Sequence, residues 1–201
     1  MRTATAAVLS LVAWVAAAGV AFAAARAVQA SAAAPPDAAA RVADCAGNVE
    51  TGRRQTEKRV VVLVNEERRK LGLPELKWND ALAGAARHHS CRMMALGFLD
   101  HVDPQFGEVS GRLRTAGLDT TNLGENILRE KGHAHPARHA VRLWMSSPEH
   151  RGTLLDPTFH WAAVGIAIGR DGSYWLTADF SGEFPQRVLP APVPSGPARR
   201  H

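Results

Sequence analysis

Cysteine, aromatic residues and clustered charge are all scarce in this chain of 201 residues. Aromatics make up 6% of it, and the five tryptophans are dispersed, with Trp14 near the N-terminus and Trp78, Trp144, Trp161 and Trp175 in the body. No run of Lys and Arg interleaves with aromatic residues, which argues against a nucleic-acid surface even though the sequence pI is near 9.9 and the net charge is +5. No internal repeat is visible. No G-x-S-x-G motif is present and neither cysteine has a catalytic setting, so a serine or cysteine nucleophile is not indicated. The first cysteine, Cys45, lies far beyond the N-terminal apolar run, which argues against a lipoprotein. What remains open to a generically basic chain is attraction to anionic wall polymers or lipid headgroups.

Against these absences, an apolar share of 46% in 201 residues supports one core-forming domain with appendages. Arg2 precedes residues 3–25, a charge-free stretch rich in Ala, Val and Leu. Ala21-Phe22-Ala23 then fits a small-x-small cleavage pattern, with a second candidate near Gln29-Ala30-Ser31. Residues 1–30 read as a signal peptide, or, uncleaved, as an N-terminal membrane anchor, since the run is long enough to span a bilayer. The Ala-rich end favours cleavage, and either reading places the rest of the chain outside the cytoplasm. In an oxidising compartment Cys45 and Cys91 invite a disulfide; the alternative is two unpaired thiols, with Cys91 packed in a helix as a small apolar residue. Residues 31–52 read as a flexible linker, 53–184 as the domain, and 185–201 as a Pro-rich disordered tail.

Inside the domain, "TEKRVVVLVNEERRKLG" has the apolar stripe Val60, Leu63, Val64, polar residues from Glu66 to Arg69 and a terminating Gly72, so it predicts a helix. Asn79 is placed to cap "DALAGAARHHSCRMMALG", which ends at Gly97. A short helix is expected in "SGRLRTAGLD" with Ser110 as its cap, and a longer one opened by Pro136. The stretch "WAAVGIAIGRDGSYWLTADFSG" predicts a hairpin turning at Asp171-Gly172. Helices first and a hairpin last make an α+β architecture, with helices packed on a small antiparallel sheet.

The residues that carry chemistry are His101 in "LDHVDP", Glu125 in "GENI" and His150 in "SPEHR", all read as lying in short irregular stretches. Two imidazoles and a carboxylate suit a divalent cation, and equally suit water activation with Glu125 as general base. Their separations, 24 and 25 positions, match no local metal motif, and the alternative is that each satisfies backbone groups in loops. His133, His135 and His139 form H-x-H-x-x-x-H, which lacks a nearby cysteine or carboxylate partner and reads as adventitious at most. His89 is expected half-buried and hydrogen-bonded, and His88 exposed.

The segments "VNEERRKLGLPELKWNDALAGAARHHSCRMMALGFLDHVDP", "GENI" and "WMSSPEHRGTLLDPTFHWAAVGIAIG" resemble the bacterial branch of the CAP superfamily, whose module is also called the SCP domain and whose members include cysteine-rich secretory, allergen and pathogenesis-related proteins. The resemblance covers about residues 58–182 and implies an α-β-α sandwich and secretion. In the fuller family pattern two His and two Glu line a cleft that holds a divalent metal; His101, Glu125 and His150 resemble three of the four. The remaining Glu usually follows the tryptophan matching Trp144, and here Ser146 and Ser147 stand in that neighbourhood. Glu149 does not replace it, because adjacent helical residues point about 100° apart. Ser147 as N-cap, Pro148 at the first helical position and Glu149 in the first turn is the simpler reading. Asp103 is the better second carboxylate, unless it caps the turn with Pro104.

The resulting expectation is a non-catalytic extracytoplasmic binding module with a cleft of His101, Asp103, Glu125, Ser147 and His150. No cofactor is required, and zinc or another divalent cation is expected to bind His101 and His150 only weakly. Its partner would be a lipid, a cell-wall component or a protein; nucleic acid is not expected, and a membrane enters only through an uncleaved N-terminal segment. The alternative is a metal-dependent hydrolase, a peptidase or a cell-wall enzyme, with Glu125 as base.

Overall fold

A computed structural model describes residues 37–47 and 50–187; the N-terminal apolar segment and residues 188–201 of the Pro-rich tail lie outside the described residues, whereas the start of that tail, expected to be disordered, forms a short strand at Gln186–Arg187. Helix α1 (Ala38–Gly47) comes first, then the long α2 (Thr51–Lys70). The stretch 31–52, expected as a flexible linker, thus contains a helix, held by an inward Val42, by Arg41 donating to the Ala95 carbonyl, and by the Cys45–Cys91 disulfide. A short β1 (Lys77–Trp78) leads to α3 (Asp80–Leu96). Asn79 caps α3 by accepting from the backbone N–H of Ala81 and Leu82, and Gly97 ends it at φ 74°.

Helix α4 (Val109–Thr115) is followed by β2 (Leu118–Asp119) and β3 (Leu123–Lys131). The cap position of α4 is Glu108, not Ser110. Helices α5 (Pro136–Ser146) and α6 (Pro148–Leu155) meet at Ser147, which stands at the N-cap of α6 without a side-chain cap bond. The described residues end in β4 (Trp161–Ile168), β5 (Ser173–Ser181) and β6 (Gln186–Arg187).

The main sheet runs β1-β4-β5-β3, with β1 parallel to β4 and the other pairings antiparallel; β2 and β6 form a separate pair. Strand alternation sorts the core into two layers. Val164, Ile166, Leu176, Ala178 and Phe180 pack with α2, α5 and α6 around Trp144 and Leu154. Ala163, Ala167 and Trp175 face the other way, onto α1, α3 and α4 through Met93, Leu82 and Leu113. Helices therefore cover both faces of one sheet, the α-β-α sandwich that the sequence resemblance implied.

Three buried charged residues complete this frame. Strand β1 covers only Trp161 and Ala162, so the Ile166 N–H on that edge needs another acceptor, which Glu57 provides while also receiving Arg87 Nε at 3.0 and 2.9 Å. Arg68, a charged residue in line with Val60 and Val64, is fully buried and donates to the carbonyls of Pro74, Leu154, Asp156 and Phe159. Its planar guanidinium suits this multidentate role, tying the end of α2 to the end of α6.

Candidate functional site

The "GENI" segment is strand, not an irregular stretch: it opens β3, paired residue for residue with β5. Alternation then divides its side chains. Gly124, Asn126 and Leu128 face α6 and α5. Gly124 lets the backbone approach Phe159 and Thr153, where an added Cβ would lie 2.7 Å from the Phe159 ring. Asn126 donates to the His150 carbonyl at 3.0 Å. Glu125 and Ile127 face α3 and α4, and Ile127 joins the layer around Met93 and Trp175.

Both carboxylate oxygens of Glu125 are engaged. Oε1 lies 2.7 Å from His101 Nδ1, and Oε2 is paired with Arg112 from α4. Arg112 also donates to the carbonyls of His101, at 2.6 Å, and Gly107, at 3.2 Å, so it fastens the loop carrying His101 to the strand carrying Glu125. The Glu125 and Arg112 side chains are 4% and 3% exposed, whereas that of His101 is 52% exposed. The hydrogen bond that His101 donates to Glu125 raises the imidazole above its ordinary value, against an opposing pull from partial burial. With Nδ1–H committed to Glu125, the ring turns Nε2 outward.

Opposite Glu125 in the sheet register stands Asp179, which is 1% exposed and whose Oδ1 has no hydrogen-bond partner among the described residues. Burial, reinforced by the neighbouring Glu125 charge, pushes the Asp179 carboxyl well up, and Arg112 only partly offsets this. Arg112 and Asp179 were not singled out from the sequence. The alternation Trp175, Thr177, Asp179 was a usable signal for an inward acid; nothing local pointed to Arg112.

Asp103 does not serve as a second cleft carboxylate. It is 1% exposed, forms a two-pronged pair with Arg92, and accepts from the backbone N–H of Gln105 and Phe106. Burial alone would raise its carboxyl; His89, Arg92 and those two N–H groups outweigh burial and hold it far below the usual carboxylate range. It caps the turn beyond His101, the second of its two sequence readings. His89 is fully buried rather than half-buried, with Nε2 at 3.1 Å from the Asp100 carbonyl. His88 is partly buried, and burial lowers its imidazole.

The group of His, Cys, Asp or Glu ligand atoms lying within 4.8 Å of one another is, among the described residues, Glu130, His133 and His139, not His101, Glu125 and His150. His139 Nε2 is 2.7 Å and His133 Nε2 3.8 Å from Glu130 Oε2. The reading of H-x-H-x-x-x-H as lacking a nearby carboxylate overlooks Glu130, which lies three residues before His133 at the end of β3. His135 takes the N-cap position of α5 and is not in the group.

The model of the cysteine-rich secretory protein family, CAP, matches residues 61–180, and the chain belongs to that family. Among curated relatives it is 35% identical over 127 residues to YkwD of Bacillus subtilis (strain 168), which covers 63% of this chain and 47% of that protein. It is 33% identical over 111 residues to the membrane protein YlbC of the same organism, covering 55% of this chain and 31% of that protein. Both relatives carry the description "uncharacterized", and the chain spans about half of one and a third of the other. An extracellular SCP-domain protein from Bacillus anthracis superposes with a TM-score of 0.55 at 24% identity, over 67% of this chain and 44% of that one. An outer surface protein from Borrelia burgdorferi gives a TM-score of 0.55 at 18% identity, over 66% of this chain and 95% of that one. At these identities the two structures establish the fold.

Proposed function

We propose that this CAP domain is an exported, non-catalytic binding module for a cell-surface component. The observation that carries the reading is the engagement of Glu125. A general base needs a carboxylate oxygen free to take a proton from water. Here one oxygen faces the His101 imidazole and the other the buried Arg112 guanidinium. Glu125 therefore supports the His101 loop and presents Nε2 to solvent as a recognition group. Zinc at His101 and His150 would lack the carboxylates of a fuller ligand set, since Asp103 is bound to Arg92 and Ser147 stands at the cap of α6.

Export is supported by the charge-free residues 3–25, by the Cys45–Cys91 disulfide, and by the extracellular and outer-surface descriptions of the two structural neighbours. Among the described residues no helix is long and apolar enough to cross a membrane.

The test is co-sedimentation of the exported protein with purified cell wall and with anionic or neutral vesicles, with and without chelator, alongside turnover assays on wall and casein. Saturable, chelator-independent binding without turnover is expected. Chelator-sensitive turnover that Glu125→Gln abolishes would establish the hydrolase instead.

A further inference from the structure

We propose that Glu130, His133 and His139 form a second, independent binding site for a zinc-class divalent cation at the junction of β3 and α5. Three features of the chain build it. Alternation along β3 points Glu130 toward α5, on the face opposite Glu125. Gly132, at φ 85°, turns the chain back so that His133 lies against Glu130 three residues earlier. Pro136 then opens α5, and His139, in its first turn, donates its N–H to the His135 carbonyl and directs its ring at the same carboxylate.

The two imidazoles stack at 3.5 Å between centroids and 17° between planes, which brings both Nε2 atoms to one oxygen of Glu130. Glu130 itself is the second observation that points to a cation. Its side chain is 7% exposed; Oε2 is paired with the two imidazoles, and Oε1 has no hydrogen-bond partner among the described residues. A carboxylate buried in that way is costly unless a cation or donor completes it.

Two imidazole nitrogens and one carboxylate oxygen are the donor set of a three-ligand zinc site with a position left for water or an outside donor. Nitrogen donors disfavour calcium and magnesium, which take oxygen ligands. The His133 side chain is 42% exposed, so the fourth position opens to solvent. Arg142 donates to His139 Nδ1 at 2.7 Å, which in a neutral ring leaves the proton on Nε2. Metal at Nε2 moves that proton to Nδ1, and the exposed Arg142 side chain swings away.

The experiment is titration of tag-free protein with zinc by calorimetry and with cobalt(II) by visible absorption. One saturable zinc equivalent, and the d–d bands of low-coordinate cobalt, are expected, with no response to calcium or magnesium. His133→Ala removes an exposed ligand without disturbing the core and should weaken zinc at least about tenfold, since loss of even an outer-shell partner costs about 10–100-fold. Glu130→Gln should do the same, while His101→Ala leaves this site unchanged. Absence of saturable zinc binding would overturn the proposal, as would binding unaffected by His133→Ala or binding lost in His101→Ala. These outcomes do not decide the surface-binding reading above, whose expected binding is the same with and without chelator.

Discussion

Replacing Glu125 by Ala removes the counter-ion of an arginine whose side chain is 3% exposed. Arg112 keeps its bonds to the carbonyls of His101 and Gly107, but its charge is left in the interior. Breaking a buried pair from one side costs about 3–5 kcal/mol. Asp179 pulls the result toward the lower end. Relieved of the Glu125 charge beside it, this carboxyl ionises more readily and becomes the new counter-ion of Arg112. The expected loss is therefore about 3 kcal/mol. For a domain of this size that lowers Tm by about 6–12 °C in thermal unfolding followed by circular dichroism at neutral pH. Asp179→Asn alone should be close to neutral, because it replaces an acid that burial already keeps from ionising easily. The double variant should lose more than the two single effects added together, since the substitute counter-ion is gone. A shift below about 2 °C for Glu125→Ala would show that Arg112 is solvated rather than buried, and refute the reasoning. A double variant no worse than Glu125→Ala would remove Asp179 from it.

The remaining expectations concern the pH response, the cross-link and the packing. The His101 imidazole should titrate above about 6.5 by NMR and fall back toward that value in Glu125→Gln. Because its folded value is raised, its stabilising contribution is present below the unfolded value and disappears as pH rises through the folded one; a His101 that titrates below 6.5 contradicts this. The Cys45–Cys91 bridge spans 46 residues, for which chain entropy gives an upper contribution of about 4 kcal/mol, measurable as the difference between oxidised and reduced protein in urea unfolding. Labelling of both thiols in exported protein would show that the bridge does not form. Gly165→Ala places a Cβ 2.1 Å from the Arg87 backbone nitrogen, where α3 lies directly on β4, so a loss of about 3 kcal/mol or more is expected. A wild-type Tm in that variant would mean the two backbones stand further apart.

Much of the fold was legible because it is local. Asn79 and Gly97 bound α3, Pro136 opens α5, Ser147-Pro148 divides α5 from α6, and Asp171-Gly172 turns the β4–β5 hairpin, all through interactions within a few residues. The apolar stripe on α2 was also readable, since helical spacing shows which positions share a face. Composition hid α1: its run of small residues and scattered charge reads as linker, and it is a helix packed against α3 through Val42 and the disulfide. "GENI" read as a loop because Gly and Asn are poor strand formers, yet the unbroken pairing with β5 overrides that preference.

For the site, the sequence by itself determined which side chains are chemically competent: His101, Glu125, His150 and the trio His133, His135, His139. Only the tertiary structure decided what each of them meets. Sheet register sets Asp179 opposite Glu125, 54 positions away in the chain, and the packing of α4 brings Arg112 to the same carboxylate. Arg92 reaching across from α3 takes Asp103 out of the cleft. One residue of strand phase turns Glu130 to the α5 face, where it completes the ligand set that His133 and His139 begin. Strand phase, register and helix docking are settled by burying two apolar layers at once. That is a property of the whole chain, and no window around a single motif contains it.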